Sequence, residues 1–313
     1  MRNVRLGSRG SPLALRQAQI VRDLLEAHHP DTLTVQIETI RTSGDQEAKP
    51  QPRRDDSVKR MFVKEIEEAL LETRIDLAVH SLKDLPGELP EGLYLGAIPK
   101  REDARDALIS DSAACSLDQL PEAALVGTSS LRRQVQLRHL RPDLQLRPIR
   151  GNVGTRIEKM RKLGFGAIVL AAAGLSRLGL MGQASYVFPI DQMVPAIGQG
   201  ALGIEIRTDD TTLRDLIHPL NHPPTYHCVE AERSFLRAMG GGCQVPMGAH
   251  ARRENGGTSF RAFIASPSDG RFIQSLSHGS TEELPELASR AAEYLLSQGA
   301  RSILAELESN DHA

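Results

Sequence analysis

The chain has 313 residues, 40% hydrophobic and 25% charged, with a formal net charge of −2, which suits a soluble globular protein of two or three domains. No apolar run approaches the roughly 20 residues of a membrane-spanning helix. The opening MRNVRLGSRGSPLALRQAQIV lacks the charged-then-apolar layout of a secretory leader, so the expected compartment is the cytoplasm.

Val4 to Ser8 reads as a short strand, followed by a helix with Ser11 as N-cap, Pro12 in first position and Ala14, Ala18, Val21 and Leu25 along one face. Val35 to Ile40 alternates as a strand. Residues 42–60 are too polar and broken for a core and predict a mobile surface loop. A helix follows with Phe62, Ile66, Ala69 and Leu70 on one side, then a buried strand over 75–81 that ends in the loop SLKDLP. This βαβα order predicts a parallel sheet.

The same grammar recurs. Strand and turn at 125–130, helix at 131–140, strand at 144–150, helix at 155–163 and strand at 166–174 predict a second α/β domain. Beyond Pro223 come a helix over 224–239, a glycine loop GGGCQVPMG, paired strands at 259–266 and 270–277, and closing helices, which is the pattern of a smaller α+β domain.

Four features point to chemistry. Arg132, Arg133, Arg138, Arg141, Arg147, Arg150, Arg156 and Arg161 crowd one stretch opposed only by Asp143 and Glu158. Arginine forks match carboxylate or phosphate, so a polyanionic ligand competes with a merely solvated helix face. Both α/β units open with a Gly-Ser/Thr turn, GSRGS and GTSS, whose helix N–H groups suit an anion or a simple cap. Two such units facing each other would form a cleft.

Asp84 follows a strand's carboxyl end, where open α/β sheets place ligands; a charged surface turn is the plainer reading. His80 is expected to pack or to make a structural hydrogen bond. Residues 198–203 spell GxGxxG but precede a strand, not a helix, which argues against a dinucleotide site. The cysteines, Cys115, Cys228 and Cys243, lack CxxC or Cys/His spacing, so neither a disulfide framework nor a metal site is indicated. Cys115 and Cys228 read as buried small hydrophobes. Cys243, in a glycine loop, is open to an electrophile or equally an inert thiol.

The segments SRGSPLALRQA, RTSGD, FVKEIEEALL, DLAVHSLKDLP, REDARDAL, GTSSLRRQ, RGNVGTR, AAAGLSRLGL, IGQGALGIE and GGGCQVPMGA, in this order, resemble the hydroxymethylbilane synthase (porphobilinogen deaminase) family. The resemblance implies two α/β domains like type II periplasmic binding proteins plus a smaller α+β C-terminal domain. Domain 1 would span 1–99 and 200–219, domain 2 would span 104–195, and domain 3 would span 221–313.

It also implies a transferase that condenses four porphobilinogen molecules, releasing ammonia each time, onto a dipyrromethane cofactor joined to Cys243 by a thioether. Hydrolysis then frees hydroxymethylbilane, a tetrapyrrole precursor. Asp84 would be catalytic, stabilising a cationic azafulvene. Ser81, Lys83, Thr128, Ser129, Ser130, Arg132 and Arg133 would hold the cofactor. Arg9, Ser11, Lys59, Phe62, Arg150, Arg156, Arg177 and Gln199 would hold substrate or the growing polycarboxylate. Two departures stand out: Lys59 lacks the usual flanking glycines, and Arg16 replaces a usual tryptophan.

A monomer without a protein partner, nucleic acid or membrane is expected. The main rival is a non-enzymatic carboxylate-binding module of the same two-domain fold, which would leave Cys243 unexplained. A nucleic-acid binder is disfavoured by 4% aromatics and no stacking motif.

Overall fold

Four buried positions, Val4, Leu6, Gly7 and Ser8, place the strand β1 (Arg2–Arg9) inside a sheet rather than at its edge. A computed structural model describes residues 2–43, 57–111, 116–240, 245–254 and 256–311, without the side chains of 57–62 and 308–311. The chain divides into two compact units, one of Met1–Glu102 with Ala201–His227 and one of Asp103–Gly200 with Cys228–Ala313.

In the first unit, β1 pairs in parallel with β2 (Leu33–Ile40) and β3 (Leu77–Ser81). Helix α1 (Pro12–His28) lays Ala18, Val21 and Leu25 against Val4, Leu6, Leu77 and Val79. Helix α2 (Ser57–Leu71) covers the opposite face with Ile66, Ala69 and Leu70 against Ile75 and Ala78. Each fully buried Leu or Ile contributes about 1.5–3 kcal/mol.

The expected all-parallel sheet is corrected to a mixed one. Strand β10 (Leu202–Arg207) enters antiparallel between β3 and β4 (Leu93–Ala97), giving the order β2-β1-β3-β10-β4. The βαβ rule governs only consecutive strands joined by helical crossovers. A strand returning after a long excursion escapes it.

The second unit repeats this plan. Strand β6 (Leu125–Gly127) pairs in parallel with β7 (Gln145–Arg147) and β8 (Ala167–Ala171), and β5 (Asp106–Ile109) runs antiparallel between β8 and β9 (Tyr186–Val187). The order β7-β6-β8-β5-β9 matches the first sheet position for position. Helices α3 (Leu131–Leu140) and α4 (Val153–Lys162) flank it. The predicted strand over 166–174 stops at Ala171, where helix α5 (Ala172–Arg177) begins. Its alanines favour a helix once the sheet ends.

Helix α6 is Thr211–Ile217 and α7 is Pro223–Ala238. The C-terminal part is an antiparallel sheet of β11 (Met247–Glu254), β12 (Gly257–Ala265) and β13 (Phe272–Gly279), with helices α8 (Leu284–Leu295) and α9 (Arg301–Asp311). One sheet face packs Phe260 and Ala262 against Phe235, Leu287, Ala291 and Leu295. The other sets Phe263 and Ala265 on Val135 and Val194. A Cβ at Gly248 would stand 2.4 Å from the Pro195 carbonyl oxygen, so only glycine fits there.

The expected loop over 42–60 is corrected at both ends. Thr42 is buried and Ser57 is already helical, because the Ser43 N–H donates to Glu65 Oε1 (2.8 Å) and ties the segment to α2. Residues 44–56 lie outside the described residues.

Candidate functional site

In the first unit the candidate residues gather at the carboxyl end of β3. Leu82 and Leu85 are buried and anchor a single 3-10 turn, Leu82–Asp84. The Leu82 N–H donates to the Ala201 carbonyl (3.1 Å) and the Leu85 N–H to Leu82 (3.2 Å). With both leucines turned inward, Lys83 and Asp84 are left half-buried at the rim. Among the described residues no hydrogen bond or ion pair engages the Asp84 carboxylate.

Gln17 of α1 donates to Ser81 Oγ (2.9 Å), so Ser81 is held from the helix side. One residue earlier, His80 is buried with Nε2 3.0 Å from Glu205 Oε2, the packed, hydrogen-bonded role expected of it. Ser11 caps α1, accepting from the Ala14 N–H at 3.3 Å. Arg9 is half-buried at the end of β1.

In the second unit Thr128, Ser129 and Ser130 form the turn into α3. Thr128 Oγ1 accepts the Ser130 N–H (3.2 Å) and Ser129 Oγ donates to the Ile149 carbonyl (3.0 Å). Ser130 occupies the N-cap without a side-chain capping bond. In the first turn of α3, Arg132 and Arg133 are buried rather than spread on a solvated face. Both converge on Asp106, the first residue of β5, which is fully buried.

Arg133 donates to Asp106 Oδ1 from Nε (3.0 Å) and Nη2 (2.7 Å), and from Nη1 to the Val169 carbonyl (2.9 Å). Arg132 Nη1 donates to the Val194 carbonyl (2.6 Å). Its Nη2 lies 2.8 Å from Asp106 Oδ2, an ion-pair contact without hydrogen-bond alignment. Gln199 Nε2 donates to Asp106 Oδ1 (3.0 Å) and to the Ala104 carbonyl (2.7 Å). Burial would raise the Asp106 pKa, but the charges of Arg132 and Arg133 and the bonds from Arg133 and Gln199 hold it down at about 2.

Sequence reasoning singled out the two arginines and Gln199 but missed Asp106. A carboxylate in a four-residue strand leaves no periodic signal, and its partners lie far along the chain.

The other candidates are placed separately. Arg150 is exposed; Arg156 Nε donates to the Gly151 carbonyl (2.6 Å) and Arg177 Nη2 to Gly200 (2.7 Å). Gly198 and Gly200 have positive φ, 70° and 87°, and lead into β10 rather than a helix, as expected of a GxGxxG with no nucleotide role. Cys228 is buried on α7. Cys115 and Cys243, and the side chains of Lys59 and Phe62, lie outside the described residues. Among the described residues no cluster of His, Cys, Asp and Glu could hold a metal, and no helix is long and apolar enough to cross a membrane.

Residues 4–215 match the family described as "Porphobilinogen deaminase, dipyromethane cofactor binding domain", and residues 226–297 match "Porphobilinogen deaminase, C-terminal domain". The chain belongs to the porphobilinogen deaminase family. Among curated members, it is 46% identical over 307 residues to the porphobilinogen deaminase of Syntrophobacter fumaroxidans, covering 98% of each chain. It is 47% identical over 306 residues to that of Geobacter metallireducens, covering 98% of this chain and 95% of the other. Among solved structures, the methionine-binding protein MetQ is 13% identical, with a TM-score of 0.44 over 72% of this chain and 92% of that one. The family's cofactor-binding domain thus takes in the Asp84 turn, the Arg132–Arg133–Asp106 cluster and Gln199.

Proposed function

We propose that this protein is a hydroxymethylbilane synthase, a transferase that condenses four porphobilinogen molecules head to tail with loss of ammonia and hydrolyses the product from its primer. The observation that carries the reading is kinship with named porphobilinogen deaminases at 46–47% identity over 98% of the chain. A non-enzymatic carboxylate-binding module is not favoured by that match.

The residues fit a dipyrromethane cofactor, whose two rings carry acetate and propionate groups. Arg132 and Arg133 keep guanidinium N–H groups not spent on protein oxygens, and the uncapped start of α3 adds backbone donors. Together with Ser81, Lys83, Thr128, Ser129 and Ser130 they are assigned to hold its carboxylates, and Cys243 to form the thioether. When bound, the cofactor supplies the nucleophilic primer carbon.

Asp84 stabilises the positive charge that develops on a pyrrole nitrogen as ammonia leaves, which a carboxylate without a competing cation does best. Arg9, Ser11, Lys59, Phe62, Arg150, Arg156, Arg177 and Gln199 are assigned to incoming substrate or the elongating chain. The protein works as a cytoplasmic monomer, and its three sheets are assigned to domains over 1–99 with 200–219, 104–195 and 221–313.

Intact mass and turnover test the reading. Purified protein should weigh more than its sequence by one dipyrromethane, the addition should map to the Cys243 peptide, and porphobilinogen should be consumed with release of ammonia. Cys243→Ala should fold, lack the added mass and be inactive, whereas Cys115→Ala and Cys228→Ala should stay active. An active protein with unmodified Cys243 would refute the mechanism.

A further inference from the structure

Asp106 belongs to none of the roles assigned so far, yet it is the only carboxylate contacted by both Arg132 and Arg133 among the described residues. Two guanidinium groups beside a single fully buried carboxylate leave the cluster with one net positive charge. The directions of the forks are equally constrained. Arg133 is gripped through two nitrogens by Asp106 Oδ1 and through a third by the Val169 carbonyl, while Arg132 spans Asp106 Oδ2 and Val194. The carboxamide of Gln199 rests on the same Oδ1.

A buried cluster of two arginines and a carboxylate is costly to desolvate, and hydrophobic residues in all three places would have filled the space without that cost. Its presence therefore calls for a reason beyond packing. We propose that Asp106 is a positioning residue for the cofactor: it aims Arg132, Arg133 and Gln199 as one array and trims their charge, so that the array holds one carboxylate of the primer firmly without locking the growing chain in place.

The carboxylate ionises well below neutral pH, because burial is outweighed by the two arginines, so the array keeps its charge throughout the working range. Without Asp106 each guanidinium would keep only its carbonyl tether, to Val194 or to Val169, and the pair would carry two charges, which would attract any small anion in place of an ordered primer.

The inference rests on the transferase reading above, and two variants separate the two. Asp106→Asn keeps the shape and removes the charge. Asp106→Glu keeps the charge and displaces it by one methylene. Each is purified and followed by intact mass, by melting temperature with and without added sodium acetate, and by kcat and KM for porphobilinogen.

The expected result for Asp106→Asn is a cofactor-loaded fraction at least tenfold below wild type, and a melting temperature that acetate raises by several degrees while leaving wild type unmoved. Asp106→Glu should fold and load, and should lose kcat at least tenfold with a smaller change in KM. Normal loading in folded Asp106→Asn would overturn the proposal. If Asp106→Asn does not fold, wild-type kcat and KM in Asp106→Glu would overturn it alone. A lowered melting temperature with loading and kinetics unchanged in both variants would reduce Asp106 to a structural ion pair and likewise overturn it. Wild-type protein that lacks the added mass would instead refute the transferase reading, an outcome distinguishable from all of these.

Discussion

Asp84 and Asp106 show how differently one side-chain type can be used. Asp84 sits half-buried on a turn fixed by two buried leucines, with no cation on it among the described residues, whereas Asp106 is buried under two arginines. Asp84→Asn should therefore keep the fold and the covalent addition while kcat falls on the order of a hundredfold or more, the usual cost of losing a group that meets developing charge. Steady-state turnover together with intact mass checks this; turnover within threefold of wild type would remove Asp84 from the chemistry. Asp84 was legible because a buried apolar run followed by SLKDLP places a carboxylate just past a strand end. Asp106 was not, since nothing local distinguishes it from its neighbours Asp103 and Glu102.

At the scale of elements, the two groups of arginines divide by what holds them. Arg132 is the second residue of α3 and buried, while Arg150 is exposed in the loop before α4. Arg132→Ala should give mainly cofactor-free protein, and Arg150→Ala should give cofactor-loaded protein arrested at intermediates. Identical mass profiles for the two would contradict this division. Gly248 tests packing on β11: its added Cβ would press on the Pro195 carbonyl and on Phe263 Cε1 at 2.9 Å, so Gly248→Ala should destabilise by about 1–3 kcal/mol in urea titration, as overpacking does.

Strong 3.6-residue periodicity made α1 and α2 readable, and Ser11 with Pro12 marked where α1 starts. The strands β4, β5, β9 and β11 escaped. The first three are short, and the Met247–Glu254 sequence, MGAHARRE, alternates too weakly to announce a strand whose inner face depends on helices α7 and α8.

For the whole molecule, stability should depend on pH through carboxylates that lose their proton at lower pH in the fold than in the unfolded chain. Asp106 is depressed to about 2, and Asp76, despite its burial, is lowered by hydrogen bonds and charge from Arg5 and by charge from Arg207. A folded-state pKa below the unfolded value of about 3.9 adds stability that is complete above that value and is lost as pH falls through the folded pKa. For Asp106 this amounts to roughly 2–3 kcal/mol. The denaturation midpoint should thus be flat from pH 7 to about 5 and drop steeply below about 4; a protein more stable at pH 3 than at pH 6 would contradict the ion-pair account.

The placement of β10 has a bearing on how the protein is born. Leu77 and Val79 lie opposite Ile206 and Ile204, partners that leave the ribosome more than a hundred codons later. At the usual pace of roughly 5–20 residues per second, β3 and β4 wait several seconds with open edges, a state that invites mispairing. The strands β5 to β9, by contrast, all lie within Asp103–Gly200 and can close as soon as they emerge. A nascent chain arrested once Gly200 has cleared the ribosome, before β10 has emerged, therefore carries Asp84 at the end of a strand one of whose neighbours is missing, and limited proteolysis of that complex should find 106–109 sheltered while 77–84 are still cut.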